Sequence, residues 1–461
     1  MAAMPAIRSV YVCQQCGAES PKWAGQCPAC SAWSTLVETV VSRGPGTSRN
    51  RERVALSVGA ASITPIGDVS SAEASRLASG IDEVDRVLGG GFVPGSIVLF
   101  GGDPGIGKST LLLQLAARLA TAGHSALDLT GEESASQVRG RAERVAAVVD
   151  GLGLVATTDL DAAVGAIAGA SPALAVVDSV QSLASGDLGG PAGSVGQVRE
   201  VATRLAEVAK AGSTCVALVG HVTKEGTVAG PRTLEHLVDA VIYLEGARLG
   251  TTRLLRAAKN RFGSTDEVGV LEMRGDGLVG VPDASRFFLE SEQPPVAGSA
   301  ITIALEGTRP LAVEIQALVA PSGAGSPRRA TTGVDVNRVL MLIAVLARHA
   351  GLNLTGHDVY VNVAGGLRIE EPAADLALAA ALASSLRERP VRSGTVLAGE
   401  LSLAGRVRPV SRADRRAAEA QRLGFDRLLT GRARDAEADA GHTIVTATDV
   451  RGALRLALEE S

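Results

Sequence analysis

The sequence feature that most constrains the fold of this chain is the segment GDPGIGKST at residues 102–110. It matches G-x-x-x-x-G-K-S, a glycine-rich loop whose backbone N–H groups turn inward and hold the phosphates of a nucleotide. In such loops the Lys108 ammonium contacts the β and γ oxygens, and the Ser109 hydroxyl binds Mg²⁺. The flanking patterns are an apolar strand at residues 96–100 and a helix at residues 109–118. The loop therefore joins a strand to a helix N-terminus, where anions are favoured, and predicts an α/β nucleotide-binding domain.

A second part of the same site is predicted from LAVVD at residues 174–178, an apolar strand that ends in an acid. This is a Walker B pattern, in which Asp178 holds Mg²⁺ through water. ATP and Mg²⁺ are thus the expected cofactors, with Ser109 and Asp178 as the magnesium site. The residues expected to bind ATP are Gly102, Asp103, Pro104, Gly105, Ile106, Gly107, Lys108, Ser109, Thr110 and Asp178.

ATP hydrolysis also needs a carboxylate that orients the attacking water. Two adjacent acids, Glu132 and Glu133, follow the strand expected at residues 125–129. The sequence does not distinguish between them. The alternative is an ordinary solvated helix start, where glutamate is favoured by the helix dipole.

Four of the 5 cysteines form two C-x-x-C pairs, Cys13 with Cys16 and Cys27 with Cys30. Such pairs supply four thiolates to one tetrahedral Zn²⁺. The segment is too small for an apolar core of its own, and zinc contributes about 10–16 kcal/mol in comparable peptides. Four sulfur ligands predict a structural site with no open position for a catalytic water. Two disulfides are the alternative, which a cytoplasmic location disfavours.

Composition limits where the chain works and how it contacts other molecules. No stretch approaches the roughly 18–20 apolar residues of a membrane span, and the N-terminus lacks the apolar core of a signal peptide, so we expect a cytoplasmic protein without a membrane partner. The net charge of −4 disfavours a basic protein that wraps nucleic acid, and 2% aromatic residues disfavour a base-stacking surface. Contact with nucleic acid is expected to be local and made to phosphates.

The length of 461 residues and the order of the patterns predict four regions. They are a four-cysteine zinc finger at 1–35, a polar linker at 36–75, an ATPase domain at 76–285 and a second α/β domain at 286–461. Within the ATPase domain, short apolar strands are expected at 96–100, 125–129, 173–177, 214–219 and 239–244. Strands that alternate with helices predict a mostly parallel sheet.

The segment at residues 220–230, after the fourth of these strands, mixes glycine with polar residues. In a ring-shaped assembly, His221 would sense the state of the γ-phosphate and Lys224 would contact a polymer in the pore. The alternative is an ordinary surface loop.

Together these residues resemble the bacterial RadA (Sms) family of DNA-repair ATPases. The resemblance covers essentially the whole chain and rests on the two C-x-x-C pairs, on SGIDEVDRVLGGGFVPG at residues 79–95 and on KNRFG at residues 259–263. It implies a RecA-like P-loop ATPase core that assembles into a homo-hexameric ring. It further implies a motor on single-stranded and branched DNA that promotes branch migration in recombinational repair, with the RecA recombinase as a partner.

The pentapeptide consists of Lys259, Asn260, Arg261, Phe262 and Gly263. In RecA-like assemblies, cationic side chains reach the γ-phosphate of the neighbouring subunit, and such cations increase rates about 10³–10⁵-fold in other nucleotide hydrolases. Lys259 and Arg261 are two positions apart and share one face of an extended segment. We therefore predict that the pentapeptide couples ATP to the subunit interface and to DNA. A solvated cationic turn is the alternative.

The C-terminal region is similar to the Lon protease domain. Residues 399–410 match the sequence around that family's catalytic lysine, and EPAAD at residues 371–375 matches its nucleophile segment G-P-S-A-G. Ala373 occupies the position of the nucleophilic serine and Asp414 that of the lysine, so no Ser–Lys dyad can form. We expect a proteolytically inactive domain that serves as a scaffold of the ring. Its candidate phosphate contacts, with a solvated helix face as the alternative, are Arg406, Arg408, Arg412, Arg415 and Arg416.

Four functions remain to be compared. An ATP-driven DNA motor is the leading interpretation. A scaffold in which ATP only assembles a ring on DNA is the second, and it would not need turnover. An ATP-dependent protease is disfavoured by Ala373 and Asp414. A KaiC-like signalling ATPase would share the phosphate loop and the glutamate pair, but the zinc finger and KNRFG argue against it.

Overall fold

The structure is a computed structural model. It describes residues 7–13, 19–28, 31, 33, 35–42, 76–220, 234–246, 250–289, 295–323, 326–432 and 443–459. The chain forms two compact units, one of residues 1–245, 255–265 and 274–278, the other of residues 246–254, 266–273 and 279–461. Two stretches that precede residue 279 thus belong to the second unit. Each unit is described by itself.

A small antiparallel sheet forms the N-terminal module. Its strands are β1 (Ile7–Cys13), β2 (Glu19–Ser20) and β3 (Leu36–Ser42), in the order β2-β1-β3. Strand β3 pairs with β1 along its whole length, from Cys13 opposite Leu36 to Ile7 opposite Ser42. The sheet therefore extends through residues 36–42, which we had assigned to a linker, because the β-branched residues of LVETVVS favour a strand.

A nine-stranded sheet contains the parallel strands of the first unit, and the residues of its last three strands divide between the two units. Its strands are β4 (Ile97–Gly102), β5 (Ala126–Thr130), β6 (Leu152–Ala156), β7 (Leu174–Asp178), β8 (Cys215–Val219) and β9 (Ala240–Glu245), followed by β10 (Thr252–Asn260), β11 (Val268–Arg274) and β12 (Gly277–Gly280). The strand order is β12-β11-β10-β9-β4-β8-β7-β5-β6, and β4 to β9 pair in parallel. The helices are α1 (Asp82–Leu88), α2 (Lys108–Thr121), α3 (Ala135–Arg144), α4 (Leu160–Ala170) and α5 (Val195–Gly212).

Burial explains why the strands of this sheet could be predicted from the sequence. Strands β4, β5, β7 and β8 are buried at every residue, as expected for parallel strands covered by helices on both faces. The five predicted strands are confirmed within two residues at each end. Strand β6 was missed, because its LGLVA sequence is short, contains glycine and lies at the sheet edge, where most of its residues are partly or fully exposed.

The second unit contains a mixed sheet. Its strands are β13 (Ser299–Glu306), β14 (Arg309–Pro321), β15 (Arg329–Thr332), β16 (His357–Val363), β17 (Thr395–Ala398), β20 (Arg427–Gly431) and β21 (Thr443–Ala447), with a separate hairpin of β18 (Glu400–Leu401) and β19 (Val407–Arg408). The sheet order is β15-β16-β14-β13-β17-β20-β21. The helices are α6 (Ala284–Phe287), α7 (Val336–Val345), α8 (Asp375–Arg387), α9 (Ala413–Arg422) and α10 (Val450–Ala457), with a π-helical turn at Leu346–Ala350 and 3₁₀ turns at Ala364–Gly366 and Pro372–Ala374. Helix α8, which is buried along most of its length, packs on β14 and β13 and forms the centre of this core.

Candidate nucleotide-binding site

The phosphate loop joins β4 to α2, as GDPGIGKST predicts. Strand β4 ends at Gly102, residues 103–107 form the turn, and α2 begins at Lys108. Gly102 has a φ of 145°, and a Cβ added there would lie 2.4 Å from the carbonyl oxygen of Leu244 on β9. Any other residue would collide with the neighbouring strand, so glycine is required where the chain leaves the sheet.

The side chain of Lys108 is hydrogen-bonded within the phosphate loop. This side chain is buried, and its Nζ donates hydrogen bonds to the carbonyl oxygens of Gly102 (2.9 Å) and Asp103 (3.0 Å). Burial lowers the pKa of the Lys108 ammonium, and the nearby charges of Asp178, Asp103 and Glu132 oppose this shift. The ammonium therefore lies at the centre of the loop, where phosphate oxygens are expected to bind.

Asp178 and Ser109 lie together, as predicted for the magnesium site. The Ser109 hydroxyl, in the first turn of α2, hydrogen-bonds Asp178 at the end of β7. Burial raises the pKa of Asp178, and this hydrogen bond and the charge of Arg141 lower it. Its Oδ1 is buried without a hydrogen-bond partner among the described residues. A carboxylate oxygen left unpaired beside a serine hydroxyl suits a hard divalent cation, so these residues fit Mg²⁺.

The two candidate glutamates differ in their surroundings. Glu132 accepts a hydrogen bond from the hydroxyl of Ser179, the residue after Asp178, and its charge acts on Lys108. Glu133 instead forms an ion pair with Arg141 on α3, with 2.7 Å between Glu133 Oε2 and Arg141 Nη2. The geometry therefore separates the two residues, with Glu132 facing the phosphate loop.

The turn that carries both glutamates is closely packed. A Cβ added to Gly131 would lie 2.2 Å from the hydroxyl oxygen of Ser182, so only glycine fits there. The Thr130 hydroxyl accepts a hydrogen bond from the Glu133 amide at 3.0 Å. Ser134 then caps α3 and forms a capping box with Gln137. The segment does start a helix, but its packing fixes the position of the glutamates.

Asp128 is a buried carboxyl that sequence reasoning missed. It lies in the middle of β5, and burial followed by the charge of Asp178 raises its pKa to about 7, with Arg141 opposing this shift. The only hint in the sequence was an acid inside the apolar strand ALDLT.

The two cations of the pentapeptide contact one segment of the first unit. Lys259, at the end of β10, donates from Nζ to the carbonyl oxygens of Glu235 (2.6 Å) and Val238 (2.8 Å). Arg261 follows the strand and pairs with Asp239 at 2.8 Å between Nη1 and Oδ1. Both cations therefore lie on the same side, as their spacing predicts. The Arg261 side chain is 56% exposed, so it remains accessible from outside this chain.

The other residues of the pentapeptide bind the segment around α1. Asn260 donates from Nδ2 to the Val87 carbonyl at 3.1 Å, and its Oδ1 accepts from the Phe262 amide at 2.9 Å. Arg76 donates from Nη2 to the Phe262 carbonyl at 2.8 Å, just before Gly263. The pentapeptide is thus hydrogen-bonded at several points to its own unit, which disfavours the alternative of a merely solvated turn.

Three predicted site residues, Lys224, Cys16 and Cys30, lie outside the described residues, as does His221. The other two cysteines, Cys13 and Cys27, are both buried and belong to one small cluster with Leu36. Two buried thiols in one cluster fit the predicted zinc finger. The fifth cysteine, Cys215, is buried on β8 and belongs to the core.

In the second unit, the segment aligned with the Lon nucleophile contains a buried alanine between two ion pairs. Ala373 is buried in the 3₁₀ turn at Pro372–Ala374. Asp375 binds Arg338, with 2.7 Å between Oδ1 and Arg338 Nε, and Glu371 binds Arg416. Arg416 is fully buried, so its predicted role as a phosphate contact is wrong. The remaining candidates, Arg406, Arg408, Arg412 and Arg415, are exposed, as is Asp414.

Three separate parts of the chain match known protein families. Residues 11–38 match a rubredoxin metal binding domain, residues 64–227 an AAA domain, and residues 330–433 the subunit ChlI of Mg-chelatase. The chain is therefore a P-loop ATPase with an N-terminal zinc ribbon and a C-terminal ChlI-like domain. Among the described residues, no helix combines the length and apolar character needed to cross a lipid bilayer.

Whole-chain similarity identifies the family. The chain is 47% identical over 429 residues to the DNA repair protein RadA of Bacillus subtilis (strain 168), which covers 92% of this chain and 93% of that relative. It is 46% identical over 419 residues to the DNA repair protein RadA of Listeria monocytogenes, covering 91% of each. This chain belongs to the RadA family of DNA repair proteins. Among solved structures, the KaiC-like protein PH0186 of Pyrococcus horikoshii OT3 is similar at a TM-score of 0.38 and 22% identity, covering 45% of this chain and 99% of that one, a likeness too weak to carry a functional argument.

Proposed function

We propose that this protein is a DNA-dependent ATPase of the cytoplasm that forms a hexameric ring on single-stranded and branched DNA. In this proposal, the ring is a motor that promotes branch migration of recombination intermediates together with the RecA recombinase. One observation carries the ATPase part. Lys108 lies buried in the phosphate loop, and Ser109 hydrogen-bonds Asp178, whose Oδ1 has no hydrogen-bond partner in the described part of the chain. Membership of the RadA family supports the DNA part.

Each residue of the nucleotide site has a proposed role. Lys108 binds the β and γ oxygens, while Ser109 and Asp178 hold Mg²⁺, which neutralises charge on the phosphates. Glu132 orients the attacking water, because the Ser179 hydroxyl holds it on the side of the phosphate loop. Glu133 has no proposed role in orienting the water, because it forms an ion pair with Arg141.

The proposed DNA contacts lie in three places. Lys224 would contact DNA from the loop at residues 220–230. The pentapeptide at residues 259–263 would couple a neighbour's γ-phosphate to DNA through Lys259 and Arg261. A cavity of about 660 Å³ in the second unit offers further phosphate contacts and is lined by Arg338, Arg406, Arg408 and Arg432, with Glu400 as the acid among its lining residues. Arg338 is paired with Asp375 and Arg408 with Glu400, so Arg406 and Arg432 are the guanidinium groups proposed to attract a phosphate there.

Two further parts of the proposal concern metal and proteolysis. Cys13, Cys16, Cys27 and Cys30 would hold one structural Zn²⁺, and the burial of Cys13 and Cys27 in one cluster supports this. The domain at residues 286–461 would act as a scaffold without peptidase activity, because Ala373 offers no nucleophile.

The experiment that tests the proposal measures the ATPase rate with and without single-stranded DNA across a salt series. We expect stimulation by DNA that decreases with salt, since contacts to phosphates release counterions. The Lys108→Ala variant should lose hydrolysis, whereas Lys210→Ala, which changes an exposed lysine near the end of α5, should not. No response to DNA at any salt concentration would contradict the motor.

The second candidate is a ring that ATP assembles on DNA and that does not translocate. Displacement of a protein roadblock from a branched DNA separates the two functions. A motor should displace the roadblock only while ATP is hydrolysed. A scaffold should bind the same DNA equally well with a non-hydrolysable analogue and leave the roadblock in place.

A further inference from the structure

Arg141, one of the three arginines on α3, lies between two acidic segments of the nucleotide site. The Arg141 side chain is only 12% exposed, and its Nη2 lies 2.7 Å from Glu133 Oε2 and 3.8 Å from Asp178 Oδ2. Glu133 comes from the turn after β5, and Asp178 from the end of β7. Arg141 therefore links the segment of the proposed hydrolytic acid to the segment of the proposed magnesium site.

The two carboxylate oxygens of Asp178 have different surroundings. Oδ2 faces the guanidinium of Arg141, whereas Oδ1 is buried and has no hydrogen-bond partner among the described residues. An electrostatic contact on one oxygen fixes the orientation of the carboxylate and leaves the other oxygen for the metal site. Residues behind a metal ligand commonly act in this way, and their loss costs about 10–100-fold in metal affinity.

The same arginine also decides the position of Glu133. An ion pair at 2.7 Å holds this carboxylate on the α3 side, while Glu132 is bonded to the Ser179 hydroxyl. Without the arginine, Glu133 and Asp178 would be two carboxylates near one another with no cation between them.

We propose that Arg141 is a positioning residue of the nucleotide site, which orients Asp178 toward Mg²⁺ and keeps Glu133 away from the bound nucleotide. This inference rests on the proposed assignment of the nucleotide site, but it needs neither DNA nor ring assembly nor hydrolysis. Charge alone gives the opposite expectation, because removal of a cation next to a magnesium site should strengthen magnesium binding. The sign of the change therefore separates orientation from simple repulsion.

The test is a magnesium titration of the binding of a fluorescent ADP analogue to the full chain. We expect the Mg²⁺ concentration for half-maximal binding to rise about tenfold in Arg141→Met, with analogue binding in EDTA unchanged. Arg141→Lys retains the charge without the guanidinium fork and should show a smaller rise in the same direction. Arg139→Met is the matched control, because Arg139 lies on the same helix, is 60% exposed and pairs only with Glu143 among the described residues, at 2.9 Å.

An unchanged or lower magnesium requirement in Arg141→Met would overturn the inference. If that variant does not fold, Arg141→Lys decides, and a magnesium requirement equal to that of the wild-type chain would overturn it. Loss of analogue binding in EDTA by a folded variant would also overturn it, since Arg141 would then support the phosphate loop itself. Absence of nucleotide binding by the wild-type chain would instead contradict the assignment of the site.

Discussion

The side chain of Arg416 is fully buried and forms an ion pair with Glu371, two residues before Ala373. The same guanidinium donates to the carbonyl oxygens of Ser411, at 3.0 Å from Nε, and Ile303. Glu371 Oε2 in turn accepts from the Leu305 amide at 2.7 Å. One pair of charges thus joins β13, the turn with Ala373 and the start of α9. The turn and α9 carry Ala373 and Asp414, the residues aligned with the protease dyad.

Breaking this pair from one side should strongly destabilise the second unit. Glu371→Gln leaves the buried Arg416 guanidinium without its charged partner, and Arg416→Met leaves the partly buried Glu371 carboxylate without its cation. Breaking a buried pair from one side costs about 3–5 kcal/mol. Arg368→Met is the control, because Arg368 and Glu370 form an exposed pair at 3.1 Å whose loss should cost at most about 1 kcal/mol. Denaturant unfolding measures both changes. Equal effects at the two sites would show that the buried pair contributes nothing special.

Exchange of the two glutamates should separate their roles. Glu132→Gln should reduce the rate of ATP hydrolysis about 10²–10⁴-fold and preserve nucleotide binding, because the water loses the carboxylate that orients it. Glu133→Gln should have a much smaller effect on the rate, since Glu133 is paired with Arg141. Single-turnover hydrolysis and binding of a fluorescent ATP analogue provide the two measurements. A greater loss in Glu133→Gln would reverse our assignment.

The pentapeptide should be needed for coupling rather than for nucleotide binding. Arg261→Ala removes an exposed cation and should reduce DNA-stimulated ATPase activity about tenfold or more, while binding of the nucleotide analogue is retained. Arg256→Ala is the control, because Arg256 also forms a partly exposed ion pair on β10, with Glu245 at 3.1 Å. Full branch migration by Arg261→Ala would mean that this cation has no role in coupling.

The raised pKa of Asp128 predicts a pH dependence of stability. An acid with a pKa of about 7 in the folded chain and about 4 when unfolded binds its proton more tightly in the folded state. The free energy of unfolding should therefore fall as the pH rises from about 4 to about 7, by roughly 1–4 kcal/mol. Asp128→Asn should remove this part of the dependence, and thermal unfolding at pH 5 and pH 8 measures it. The charged groups that act on Asp128 are Asp178, Arg141 and Glu133.

Asp150→Asn is the matched control for that experiment, since Asp150 is an exposed acid of the same unit. The two variants should differ in their pH profiles. Identical profiles would show that Asp128 does not titrate as described.

Removal of one zinc-finger thiol should release the metal. Cys27→Ser should lower the zinc content of the purified protein to well below one ion per chain, because zinc needs all four thiolates to bind tightly. Cys215→Ser changes a buried cysteine on β8 and should leave the zinc content unchanged. Elemental analysis of both variants is the measurement, and full zinc occupancy in Cys27→Ser would contradict the four-thiolate site.

Much of the first unit could be predicted from the sequence because the residues that define each of its motifs are neighbours in the chain. The phosphate loop, its strand and its helix are contiguous in the sequence. Asp178 ends a strand that is apolar because helices cover both faces of the sheet. Features that depend on distant residues were not predictable. The distinction between Glu132 and Glu133 depends on Ser179, which lies 47 residues after Glu132, and on an arginine of the next helix.

The same reasoning explains the error at Arg416. Five arginines close together in the sequence indicate a cationic surface, and four of them are exposed. The fifth is buried because Glu371, which lies 45 residues earlier, neutralises it inside the unit. A pattern along the sequence cannot reveal a partner on a distant element.

The carboxylate of Asp239 connects Arg261 to the strand that carries the phosphate loop. Its Oδ2 accepts from the Ile97 amide at 3.1 Å, and its Oδ1 accepts from Arg261 at 2.8 Å. Ile97 begins β4, and Gly102, which binds Lys108, ends it about 17 Å away. A fully extended strand is stiff along its axis. A pull on Arg261 by a neighbouring molecule would therefore act, through Asp239, on the strand that ends in the phosphate loop.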